Sequence, residues 1–157
     1  LERVQVDTIP GMWIWGIGGA VGAFGIGRVL DKVDSSRKLT TIIIVLLAAD
    51  FALLLLFPSS RMVALVCLFA WGLLGWSSMA PQQHSMLSAN PDEGATAVAA
   101  NASANYLGSA VGSAVGGLFL PSSTGILLGA LFVVLLGIVC SIGARALSFL
   151  KPRDNEN

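Results

Sequence analysis

Charge is scarce in this sequence: nine Lys and Arg stand against nine Asp and Glu in 157 residues, 11% of the chain, for a formal net charge of zero. Binding to nucleic acid, or to a membrane surface through a basic patch, needs an excess of positive charge that is absent here, so no nucleic-acid partner is expected. Cysteine is nearly missing as well. Cys67 and Cys140 each sit alone in an apolar stretch, where a thiol behaves as a small hydrophobe, which excludes a disulfide framework and any Cys/His metal spacing. There is no Gly-x-Ser-x-Gly elbow, no His-Glu-x-x-His pair and no phosphate-cradling loop. No catalytic residue, metal or cofactor is expected, and the chain does not read as an enzyme. Period-2 alternation of the kind that marks strands is also missing.

What remains is apolar. Hydrophobic residues make up 55% of the chain and the mean hydropathy is +0.79, outside the range of soluble domains. Crossing the hydrocarbon of a bilayer takes roughly 20 apolar residues as helix, and five stretches are long enough: about 9–30, 39–57, 62–89, 95–120 and 124–148. The expectation is an all-α membrane protein with five transmembrane helices, residues 1–151 forming one bundle and 152–157 a polar tail. Ser36, Ser60 and Thr124 are placed as N-caps, and Asn90-Pro91 followed by Glu93 has the order of a capping box at the start of the fourth helix. The chain opens on Leu1 with no charged leader before its first apolar stretch, which points to the later part of a longer protein.

Basic residues set the orientation. Arg28, Lys32, Arg37, Lys38, Arg145, Lys151 and Arg153 fall on one side of a five-span topology and only Arg3 and Arg61 on the other, so the 31–38 loop and the C-terminus are expected in the cytoplasm. Small residues indicate where helices can approach closely. Gly108, Gly112 and Gly116 recur every fourth residue, the spacing that lets two helix backbones touch in lipid, and the first span is also rich in glycine. The first, third and fourth spans are therefore expected to face inward. The Leu-, Ile- and Val-rich second and fifth are expected to face lipid.

Polar side chains inside apolar spans are costly and point into a bundle or a water-filled cavity. Gln82, Gln83, His84 and Ser85 follow Pro81 within the third span, where the proline should kink the helix around such a cavity. Trp76, Met79 and Gln83 share one helical face, Trp71 lies deeper than an interfacial belt, and Asn101 and Asn105 are four apart on the next span. Trp71, Trp76, Met79, Gln82, Gln83, Asn101 and Asn105 are the candidate substrate-cavity residues, although both tryptophans also suit plain helix packing and both asparagines suit helix-to-helix bonding. Asp50, in the middle of the second span, and His84 are the ionisable residues placed to carry a proton.

The stretch GIGRVLDKVDSSRK at 25–38 marks an abrupt border between apolar and charged residues. Its Gly27-x-x-x-Asp31-Lys32 followed by Arg37-Lys38 resembles the G-x-x-x-D-R/K-x-G-R-K/R loop of the major facilitator superfamily, in the degenerate copy between the eighth and ninth helices. Val33-Asp34-Ser35-Ser36 stands where the motif has a single Gly and then basic residues. Further along, GWSSMAPQQHSMLSANPDEGATAVAANASANYLGSAVGSAVGGLFL resembles the tenth and eleventh helices of the drug/proton antiporters of that superfamily. The run from Gly112 to Gly117 lacks the proline that marks the fifth helix of antiporters, which favours the eleventh. The resemblance covers nearly the whole chain as helices eight to twelve. It implies an incomplete half of a twelve-helix bundle in the plasma (inner) membrane, partnered by lipid and by a missing N-terminal half. It also implies secondary active transport, as proton-coupled efflux of drugs, sugars or other small amphipathic solutes. Gly27, Arg28, Asp31, Lys32 and Arg37 would form the gating loop, with Asp31 holding the cytoplasmic side closed. A multi-pass scaffold or assembly subunit without transport is the alternative, distinguished by polar residues that are paired and dry rather than open to a cavity.

Overall fold

The computed structural model describes residues 8–89, 91–118 and 123–150, all of them helix or short connection. The helices are α1 (Thr8–Leu30), α2 (Ser36–Leu56), α3 (Arg61–Ser77), α4 (Met79–Ala89), α5 (Gly94–Leu118) and α6 (Ser123–Leu150). Leu1, Arg3, Asn90, Lys151, Arg153 and the 152–157 tail lie outside the described residues, as do the side chains of Cys140 and Arg145. Among the described residues three helical runs are long and apolar enough to cross a membrane: Ile9–Leu30, Ser36–Leu56 and Arg61–Ala89. In lipid every backbone group must be satisfied within the segment, and the hydroxyls follow the same rule. Thr40, Ser103 and Ser109 return theirs to the carbonyls of Ser36, Ala99 and Asn105 at 3.0, 3.1 and 2.9 Å.

The third expected span is two helices. Pro81 has no N–H to give the carbonyl of Ser77, and its ring crowds that carbonyl, so the helix breaks just before it. At the break the N–H of Ser78 reaches back to Leu74 (3.2 Å) and Gly75 (3.3 Å), while its hydroxyl donates to the Gly75 carbonyl at 2.7 Å. Pro81 itself is fully buried.

Three caps differ from expectation, and one of them, Thr124, is the second residue of α6. Ser35 caps α2, its hydroxyl accepting from the Lys38 N–H at 3.4 Å, and Ser36 is the first helical residue instead; Ser60 caps α3 as expected, accepting from the Val63 N–H. Pro91, Asp92 and Glu93 form a turn before α5 rather than its first residues. The first helical turn is closed by the Ala97 N–H on the Glu93 carbonyl at 3.0 Å.

Close packing is concentrated between α1 and α3. A Cβ added at Gly18 would run into the Phe69 carbonyl, one at Gly22 into the Leu73 carbonyl and the Ser77 hydroxyl, and one at Gly72 into the Trp15 carbonyl. Gly18 and Gly22 stand four apart and Gly72 opposes them, so the two backbones meet with no side chain between them. Gly108, Gly112 and Gly116, the expected packing stripe, have nothing within 4 Å of the place where a Cβ would stand. Four-residue spacing alone does not separate the two cases, because it makes a flat face without supplying a partner for it.

The expected inward and outward faces are also partly exchanged. α2 is central, packed by α3, α4 and α6, and it buries Leu39, Ile43, Ala48, Asp50 and Phe51. α5 is peripheral and packs on α4. A small core of Ile26, Leu39 and Ile43, flanked by Leu30, Leu74 and Ala80, ties the end of α1, the start of α2 and the α3–α4 break together at the end of the bundle that carries the charged loop.

Candidate functional site

Three helices build an aromatic cluster beside this framework. Trp15 of α1 meets Trp71 and Trp76 of α3 edge-on, with ring centroids 6.2 and 6.3 Å apart, and Trp71 meets Phe51 of α2 at 5.8 Å. Such edge contacts add about 0.5–1.5 kcal/mol per pair beyond burial. They exist because glycine lets α1 approach: the Trp76 ring lies over Gly19, where a Cβ would stand 2.6 Å from its Cδ1. Trp15 and Phe51 went unnoticed in the sequence. Both lie among apolar neighbours of similar size, and only the three-helix arrangement sets them apart.

The structure places the candidate cavity residues on an open face. Ser77 and Pro81 turn into the bundle, while Met79 and Gln83 are exposed, and Trp71 and Trp76 keep part of their rings exposed beside their contacts with Trp15. Gln82 is half-buried. On α5 Asn101 is half-buried and Asn105 exposed, so the helix that follows the α4 turn carries its two amides along the outside of the bundle. Within this hairpin Leu87 lies close against Gly94, where a Cβ would meet the leucine Cδ2 at 2.8 Å. An aromatic ring, a thioether and an amide that are each accessible can contact a solute with apolar and hydrogen-bonding parts. An apolar hollow lined by Met12, Trp13, Gly16 and Ile17 on the outer face of α1 offers almost no polar anchor.

The two ionisable candidates lie apart. Asp50 is 7% exposed and its Oδ2 has no hydrogen-bond partner. The Cys67 thiol, 1% exposed, packs against it and donates to the Asp50 carbonyl at 3.8 Å. Trp15 Nε1 is likewise buried without a partner, so a lone acceptor and a lone donor stand in the same group of three helices. His84, by contrast, is exposed near the charged end, where its Nδ1 lies 2.7 Å from the Ser36 hydroxyl.

Of the expected gating-loop residues, Gly27 and Arg28 lie in the last turn of α1, Asp31 and Lys32 form the turn that follows it, and Arg37 stands in the first turn of α2. The Asp31 N–H donates to the Gly27 carbonyl at 3.0 Å and the Lys32 N–H to that of Val29 at 3.0 Å, and Gly27, Arg28, Asp31, Lys32 and Arg37 are all exposed. Among the described residues no group of three or more His, Cys, Asp or Glu is placed to hold a metal.

The sequence profile of the Major Facilitator Superfamily matches residues 5–113. The chain belongs to that superfamily. It is therefore a membrane-embedded, multi-pass transporter chain, and the all-α architecture is that of a partial major facilitator bundle. The match takes in α1 to α4 and most of α5, and so every candidate cavity and loop residue named above. No solved structure matches the chain.

Proposed function

We propose that this major facilitator chain is the C-terminal part, helices eight to twelve, of a proton-coupled transporter of the drug/proton antiporter branch. It exports drugs, sugars or other small amphipathic solutes by alternating access. The observation that carries the reading is the exposed face of Trp76, Met79 and Gln83 on the broken α3–α4 run, with Asn105 exposed and Asn101 half-exposed on the following helix. A scaffold subunit would keep these amides paired inside the bundle, since unpaired polar groups in lipid are expensive. Their openness favours a wet path shared with an N-terminal half, against which the open stripe of Gly108, Gly112 and Gly116 would pack. The plasma (inner) membrane, with the C-terminus and the 31–38 loop in the cytoplasm, is the location consistent with the excess of Lys and Arg on that side.

Within this reading the exposed loop at Asp31 gates the cytoplasmic mouth. Asp50 is the better of the two proton carriers, because it lies at mid-helix with an unpartnered oxygen whereas His84 is engaged at the charged end. The deciding experiment is Gln83→Leu in the full-length transporter, assayed by efflux of a panel of substrates that differ in polar groups. Export of the more polar members should fall by roughly five- to tenfold, the equivalent of one lost hydrogen bond, while protein level and apolar substrates are spared. Export of every substrate at the wild-type rate would remove Gln83 from the path.

A further inference from the structure

The hydrogen bond between Ser36 and His84 joins residues 48 positions apart and two different helices. Ser36 is the first residue of α2, directly after the Ser35 cap, and only residues 31–35 separate it from the end of α1. His84 lies on α4, beyond the break at Ser78 and directly after the half-buried Gln82 and exposed Gln83. Next to the break α4 is seated by Ala80 against Ile26, Leu39 and Ile43. This short helix thus has a weak joint at one end and a polar tether further along. The missing Pro81 N–H removes a backbone bond that would resist bending at this joint, so the contacts of α4 with α2 and α5 help to set its position.

We propose that Ser36–His84 is the latch that couples the charged loop to the amide-bearing helix: a change in the loop moves Ser36, and through His84 it tilts α4 about the Ser78 joint. Both neutral ring tautomers can keep the bond, one accepting from the serine hydroxyl and the other donating to it, so the latch needs no particular tautomer. The loop then acts inside its own bundle, in addition to any contact Asp31 makes across the mouth. His84 and Ser36 are positioning residues for Gln82 and Gln83. The inference rests on the reading of α4 as bordering the path, but its test is read without substrate, so the two can fail separately.

The test is hydrogen–deuterium exchange of the amides of residues 79–89 in the full-length protein in lipid nanodiscs. Ser36→Ala and His84→Ala should each speed exchange of α4 by roughly two- to tenfold, the range expected from losing one hydrogen bond, with α3 amides unchanged. Because both substitutions delete the same bond, the double variant should exchange no faster than the faster single one. His84→Asn, which keeps a polar group near the position of Nδ1, should restore protection to within about twofold of wild type. The latch is overturned by any of four results: unchanged exchange in both alanine variants, full addition of their effects in the double variant, equal acceleration along α3, or an asparagine variant as fast as His84→Ala.

Discussion

Replacing Gly18 and Gly22 together by alanine should loosen the bundle, and the size of the effect follows from what the new methyl groups meet. At Gly18 the Cβ faces the Phe69 carbonyl, with the Phe69 C and Leu73 N at 3.1 and 3.2 Å; at Gly22 it faces the Leu73 carbonyl, with the Ser77 Oγ at 2.8 Å. Nearly all of these atoms are backbone, so no rotamer change relieves the clash and α1 must move away from α3. Gly16 and Gly25 lie on the same helix with nothing within 4 Å of their Cβ positions, which makes Gly16→Ala/Gly25→Ala the matched control. Each double variant removes two glycines from one helix, so the propensity gain of about 1 kcal/mol per site is common to both and cancels in the comparison. What remains is overpacking at about 1–3 kcal/mol per site, or about 2–6 kcal/mol for the pair. Even the low end should separate the apparent melting temperatures by about 4 °C, read as the folded fraction surviving stepwise heating in mild detergent. Equal melting temperatures for the two double variants would refute the backbone contact between α1 and α3.

Asp50→Asn keeps the shape of the side chain while removing an ionisable group whose charged form costs about 2.5–3.5 kcal/mol at mid-helix. The protein level should hold or rise while export stops responding to an imposed proton gradient, and gradient-driven export at the wild-type level would take Asp50 out of coupling. Asp31→Asn should reduce transport more than substrate binding, because it shifts the balance between conformations and leaves the cavity intact. Wild-type transport, with unchanged accessibility of cysteine probes at the cytoplasmic mouth, would show that the loop has no gating role.

The positions and type of the helices were legible in the sequence for a physical reason. Lipid offers no hydrogen bonds to the backbone, so a long apolar run has little choice but to form a helix. The proline break was legible as well, because a missing N–H at Pro81 acts on the carbonyl four residues before it whatever surrounds the helix. The polar face of Gln82 and Gln83 stood out against its apolar neighbours for the same kind of local reason.

Tertiary structure alone decided which faces meet. In water, burial sorts apolar from polar residues, but lipid is as apolar as leucine, so side-chain hydropathy does not distinguish a helix core from a lipid-facing surface. That is why the Leu- and Ile-rich α2 could be central while glycine-rich α5 lies at the edge, and why Gly18, Gly22 and Gly72 are sealed against carbonyls while Gly108, Gly112 and Gly116 stand open. It is also why the partners of Asp50 and His84 could not be read along the chain. Ser36 comes within 2.7 Å of His84 only because α2, α3 and α4 fold back so that the start of one helix meets the flank of another, a distance to which a separation of 48 positions gives no local clue.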